Sequence, residues 1–169
     1  MLLDLEYKNK KELELFSYER LKHTLNYVCE HSPFYKNLFA ENQIDINEIR
    51  QLSDLSKLPI TNKADLAKYN ADFLCVPHLK IADWITTSGT LGKPVSFGLT
   101  KDDLNRLAHN EARSLALTGC RPSDRIQLMV TLDKRFMAGL AYYQGVRKMG
   151  AGMIRLGPGS PFMQWDSIM

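Results

Sequence analysis

No apolar run in these 169 residues approaches the length of a membrane span. The N-terminus, "MLLDLEYKNK", carries acid where a secretory leader would carry positive charge followed by an apolar stretch. Neither a membrane-spanning nor a secreted protein is therefore expected, and the chain reads as cytoplasmic. Cysteine is equally sparse: Cys29, Cys75 and Cys120 lie far apart, with no C-x-x-C pair and no histidine at zinc spacing. A disulfide scaffold and a zinc module are excluded on that ground, and ordinary thiols in a reducing compartment are expected. Charge of one sign is scarce too, since the net charge is only +3 and the most basic cluster, "YKNKKELE", is interrupted at once by Glu12 and Glu14. This pattern suits a solvated helix start and argues against a nucleic-acid surface. Internal repeats and low-complexity tracts are missing as well.

What remains is the composition of a globular domain, 44% hydrophobic with no bias toward disorder. Leu13, Phe16, Leu21, Leu25 and Val28 fall on one helical face, and Ser32-Pro33 halts that helix before a shorter one. Leu58-Pro59 then marks a turn, after which Thr61 is placed to cap a short helix carrying Leu66. Residues 1–80 thus read as a mostly helical lead-in.

Beyond Lys80 the pattern changes to α/β, and residues 81–169 read as an incomplete α/β domain. "IADWITTS" and "VSFGLT" are β-rich and flank a glycine-rich loop, as the two strands of a hairpin would. Thr100 followed by Asp103 has the form of a capping box, Leu104, Leu107, Ala108, Leu115 and Ala116 keep helical spacing, and Gly119 stands where a C-terminal glycine belongs. "IQLMVTL" reads as a strand buried on both faces, Phe136 to Met149 as a helix, and "AGMIRLG" as a second strand. Strand, helix and strand together have the size of a parallel crossover unit.

The segment "TTSGTLGKP", Thr86 to Pro94, is the richest in chemistry. Small side chains let backbone N–H groups turn inward around an anion, while hydroxyls and a lysine add donors, so a phosphate grip is one reading. A polar hairpin turn is the other, because glycine, serine, threonine and proline are ordinary turn residues. Gly89 and Gly92 are separated by only two residues and Pro94 follows Lys93, so this is not a Walker loop. A third glycine and an opening helix are both lacking, so it is not a dinucleotide fingerprint either.

The loop resembles the serine-glycine-threonine-threonine-glycine-x-proline signature of adenylate-forming enzymes, with Leu91 in place of the second threonine. "HSPFYKNLF", "LSDLSKLPITNKADL", "TTSGTLGKPVSFGLTKDDL", Arg113 and Gly119 ahead of "SDRIQLMV", and "FMAGL" with Gly145 and "KMGA" follow in the order and spacing of phenylacetate-coenzyme A ligases. The chain is similar to the N-terminal portion of that family over almost its whole length. The resemblance implies ATP, Mg2+, coenzyme A and a carboxylic acid, possibly an aromatic one, as cofactors and substrates. The acid attacks the α-phosphorus of MgATP to give an acyl-adenylate and pyrophosphate, and the coenzyme A thiol then displaces AMP.

By that resemblance Thr87, Ser88, Gly89, Thr90, Gly92 and Lys93 hold the phosphates, in line with the attacking acid. Pro94 ends the loop without joining the grip. Phe136, Gly139 and Leu140, with Gly145, match the wall of the acyl pocket, although spacing alone favours plain helix-core positions for Phe136 and Leu140. Leu132-Asp133-Lys134-Arg135 stands where family members active on phenylacetate carry tyrosine and glycine, and its three charges argue against phenylacetate as the acid.

Other polar residues have simpler explanations. Asp102 and Asp103 suit a helix's first turn, His109 a satisfied or solvent-facing position, and Tyr142 and Tyr143 an amphipathic helix.

The later segments of such ligases, which carry the threonine-glutamate motif, the ribose-binding aspartate and the late lysine, are not in the sequence. "GSPFMQWDSIM" reads as the opening turns of another helix with no stop signal. A front portion of a ligase, not competent alone, is the expectation. The alternative is a stand-alone nucleotide-binding or protein-interaction remnant. Either would leave a sheet edge open to a partner or to homodimerisation.

Overall fold

The computed structural model describes residues 8–87 and 94–167 and divides into two compact units, Met1–Val76 and Pro77–Met169. In the first unit, α1 (Lys10–His31) starts at Asn9, whose side chain accepts from the Glu12 amide while Glu12 reaches back to the Asn9 amide. Lys8–Glu12 and Lys10–Glu14 pairs line this solvated start. The expected apolar stripe is only half used. Leu25 is buried with Leu21 and Val28 packed around it, whereas Leu13 and Phe16 stay exposed.

Ser32 ends α1 and caps α2 (Pro33–Glu41) with the same residue, as the Ser-Pro break predicts. It is 1% exposed, its Oγ accepts from the Tyr35 amide at 3.3 Å, and its hydroxyl donates to the Asp72 carbonyl at 2.8 Å. Leu25, Phe39 and Ile49 form the core here, and Phe34 stacks on Phe73 at 4.0 Å between ring centres. The short helix α3 (Lys63–Lys68) is capped by Asn62 and not by Thr61. Asn62 wins because its Oδ1 accepts from the Ala64 and Asp65 amides while the Asp65 carboxylate accepts from the Asn62 amide, closing a reciprocal box.

The second unit opens with the expected hairpin: β1 (Ile81–Thr86) pairs antiparallel with β2 (Ser96–Thr100), in register from Asp83–Leu99 to Thr86–Ser96. Thr100 and Asp103 form the expected capping box at the head of α4 (Lys101–Leu117), and Gly119 follows in the left-handed region at φ 89°. β3 (Arg125–Leu128), α5 (Met137–Met149) and β4 (Gly152–Arg155) then make a parallel crossover, with Arg125 opposite Gly152 and Leu128 opposite Arg155. β3 is shorter than "IQLMVTL" suggests: it stops at Leu128, and Met129 is exposed. α5 packs against α4, and Gly145 permits the approach, since a Cβ there would lie 2.4 Å from the Glu111 Cβ. Ile85, Val95, Ala108, Leu128, Ala141 and Val146 are the buried apolar residues of this unit. A last helix, α6 (Pro161–Asp166), starts at Ser160. Among the described residues no helix is long and apolar enough to cross a membrane.

Candidate functional site

The hairpin brings the two ends of the glycine-rich segment together and fastens them. The Thr87 amide donates to the Val95 carbonyl at 3.0 Å, and the Val95 amide donates to the Thr87 hydroxyl oxygen at 3.0 Å. Val95 is 2% exposed, so this pair sits on a buried footing. Thr87 is among the residues expected from sequence to hold phosphate, and its hydroxyl oxygen accepts from the Val95 amide. Ser88, Gly89, Thr90, Gly92 and Lys93, the other residues expected to hold phosphate, lie outside the described residues.

A second segment meets β1 at the same end. The Thr86 amide donates to the Arg135 carbonyl at 3.1 Å, and Thr86 forms an isolated parallel bridge with Phe136. The turn that supplies Arg135 is tightly built. The Asp133 amide donates to the Thr131 hydroxyl oxygen at 3.0 Å, the Phe136 amide donates to the Asp133 carbonyl at 3.1 Å, and Lys134 and Arg135 both adopt φ 58°. Two consecutive non-glycine residues in that region are costly, at about 1–2 kcal/mol each. Neither is foreshadowed in the sequence, because lysine and arginine carry no left-handed preference.

The residues matched to an acyl pocket follow directly. Phe136 is 41% exposed at the N-terminus of α5, so a helix-core role does not account for it; Leu140 is half-buried one turn on. Gly139 is buried for a definite steric reason: a Cβ there would stand 2.0 Å from the Thr131 carbonyl oxygen. The structure therefore joins the Thr87–Val95 clasp and the 131–136 turn through the last residues of β1. Among the described residues, this junction brings sequence-derived candidates together.

Other polar clusters are occupied by internal contacts. Asp103 accepts from the Thr100 amide and hydroxyl at 2.9 and 2.8 Å and pairs with Arg106. Partial burial works against its charge, but the Thr100 hydrogen bonds and Arg106 prevail and hold its carboxyl below the ordinary range. Asp54 lies on an open depression of about 390 Å³ lined also by Glu48, Arg50, Gln51 and Lys57. Its side chain accepts from Lys57 at 2.9 Å and from the Arg50 and Gln51 amides, which lowers its pKa and leaves it a helix-capping role. The three cysteines are free, and burial pushes the Cys29 and Cys75 thiols up, away from nucleophilic thiolates. Among the described residues no group of three His, Cys, Asp or Glu could hold a metal ion.

No protein-family model matches the chain. Curated proteins do match. The sequence is 34% identical over 158 residues to the phenylacetate-coenzyme A ligase of Escherichia coli, covering 93% of this chain and 36% of that enzyme. It is 35% identical over 157 residues to the Thermus thermophilus enzyme of the same name, covering 92% of this chain and 35% of the relative. This chain is similar to the phenylacetate-coenzyme A ligases. The match falls on their N-terminal part, and the chain spans little more than a third of their length. The backbone agrees: an open form of a 2-hydroxyisobutyryl-CoA ligase, in complex with 2-HIB-AMP and CoA, superposes with TM-score 0.83 at 27% identity, over 94% of this chain and 39% of the other. The same ligase in its thioesterification state gives TM-score 0.84 at 28% identity, over 95% of this chain and 36% of the other. The fold expected from sequence, a helical lead-in followed by the first part of an adenylate-forming α/β domain, is the fold of these ligases.

Proposed function

We propose that the chain is the nucleotide-gripping front portion of an ATP-dependent carboxylic acid–coenzyme A ligase. The observation that carries this reading is the match of 93% of the chain to a phenylacetate-coenzyme A ligase. In the whole enzyme a carboxylate oxygen bonds to the α-phosphorus of ATP as the bond to pyrophosphate breaks. The coenzyme A sulfur then bonds to the carbonyl carbon, losing its proton as AMP departs. Thr87, Ser88, Gly89, Thr90, Gly92 and Lys93 grip the β- and γ-phosphates with backbone amides, hydroxyls and an ammonium, and Mg2+ accompanies the nucleotide. The clasp supports this use, since it fixes where the chain leaves β1 and where it returns. Residues 1–80 act as the helical lead-in and 81–169 as the start of the AMP-binding domain.

The acid lies beside the turn that ends at Phe136, with Gly139 and Leu140 behind it. Asp133, Lys134 and Arg135 stand on that turn, so an acid more polar than phenylacetate fits it better. A parallel is the neighbour crystallised with an adenylate of 2-hydroxyisobutyrate. Lys93→Ala tests the grip. MgATP should raise the melting temperature of the unaltered chain and leave that of the variant unmoved; an equal rise in both would refute the assignment.

A further inference from the structure

The parallel crossover carries charge of one sign. α5, β3 and β4 hold Arg125, Arg147, Lys148 and Arg155 and not one carboxylate, although acids and bases nearly balance over the whole chain. Two of these cations meet at one aromatic ring. Tyr143 and Arg147 stand four residues apart on α5, so they share a helix face, and the long arginine side chain leans back over the turn before it. Its guanidinium carbon lies 5.7 Å from the centre of the Tyr143 ring. Arg155 reaches the same ring from the end of β4, which packs against α5, and lies 5.6 Å from its centre. The ring is half-buried and both arginines are exposed.

A tyrosine ring attracts a cation through its quadrupole, but it has no net charge with which to cancel two guanidiniums that repel each other. A carboxylate would do so. α4, which also packs on α5, brings Asp102, Asp103 and Glu111, and Asp103 pairs with Arg106. Among the described residues no carboxylate pairs with Arg147 or Arg155. Each guanidinium therefore keeps its planar fork of N–H donors for a ligand, and two forks gathered by one ring suit an oxyanion with several acceptors. We propose that Arg147 and Arg155, gathered by Tyr143, form a binding site for a doubly charged phosphate, either free or as the monoester of a small molecule. Phosphate oxygens accept from both guanidiniums, while the ring keeps the two long side chains close to their bound positions and so reduces the freedom lost on binding. The site rests on these residues alone and is independent of the ligase reading.

The test is titration of inorganic phosphate and, separately, of glycerol 3-phosphate into the whole chain at about pH 8, where both are mainly doubly charged. Arginine side-chain NMR signals are followed at constant ionic strength. The expected result is saturable binding that shifts Arg147 and Arg155 together. Arg147→Gln and Arg155→Gln, which alter exposed residues, should each weaken it by at least about tenfold without changing the circular dichroism. Lys148→Gln, an equal loss of charge beside the site, should change it by less than about twofold. Arg155→Lys keeps the charge but loses the planar fork, and should weaken it by at least about threefold. Glycerol 3-phosphate binding as tightly as inorganic phosphate makes a monoester the ligand, and a preference for inorganic phosphate makes it the free ion. Three results would overturn the site: no saturation by either probe, equal losses from Lys148→Gln and Arg147→Gln, or an Arg155→Lys variant that binds as tightly as the unaltered chain. Lys93→Ala separates this site from the glycine-rich segment. Phosphate binding lost in that variant overturns the present site, whereas phosphate binding in a chain indifferent to MgATP refutes the nucleotide grip alone.

Discussion

Gly139→Ala should destabilise the protein although it places a better helix former in the third position of α5. Alanine in place of glycine in a helix is worth about 1 kcal/mol in its favour. Against that, the new Cβ would meet the Thr131 carbonyl oxygen at 2.0 Å, where real Cβ atoms keep 3.0 Å or more, so α5 would have to draw back by about 1 Å. The obstacle is backbone, which no rotamer change can clear. Thr131 is also held by its hydrogen bond to the Asp133 amide in the turn that reaches Thr86. Overpacking against backbone sits at the upper end of its range, about 3 kcal/mol, so after the gain of about 1 kcal/mol in helix propensity the net loss should be about 2 kcal/mol. For one cooperative transition of a chain this long that is a fall of about 4–8 °C in melting temperature. The assay is thermal unfolding followed by circular dichroism, with Ala138→Gly as the control for helix propensity alone. A melting temperature equal to or above that of the unaltered chain would refute the steric argument, and would return Gly139 to a role at the pocket wall only.

Thr87→Val should strand the buried Val95 amide without an acceptor, costing about 1–3 kcal/mol, while Thr87→Ser keeps the bond; hydrogen exchange at Val95 reads the difference directly. Ser32→Ala removes both the cap of α2 and the bond to Asp72, and should lower stability by about 1–3 kcal/mol in urea unfolding. Asp54 and Asp103 both have depressed folded-state pKa values, so the stability they contribute is present above the unfolded carboxylate value of about 3.9 and is lost as pH falls through their lower folded values. Urea midpoints measured from pH 6 to pH 2 should fall most steeply below about pH 4, and Asp54→Asn should flatten that slope.

Much of this architecture is legible in the sequence because local chemistry decides it. The Ser32-Pro33 break, the Thr100–Asp103 box and the helix-ending Gly119 are each written in the residues that make them. The failures have equally local causes. Thr61 and Asn62 are both good caps, and only the Asp65 carboxylate chooses between them. Leu13 and Phe16 obey the helical period, but periodicity cannot tell that the unit's core begins nearer Leu21. At the site, the glycine-rich segment and Phe136 stand out in sequence, whereas their connection does not. Thr86 meets Arg135 across 49 positions through backbone atoms alone, and main-chain pairing at that distance leaves no signature in side-chain identity. The clasp made by Thr87 is hidden for the same reason, since its acceptor role depends on where Val95 returns.

Titration of MgATP and of MgAMP into the chain by calorimetry tests the central claim most directly. A loop that grips the β- and γ-phosphates should bind ATP at least about tenfold more tightly than AMP, because a single charge-assisted hydrogen bond is worth about 1.5–3 kcal/mol. Equal affinities, or none for either nucleotide, would contradict the claim that this segment holds a polyphosphate.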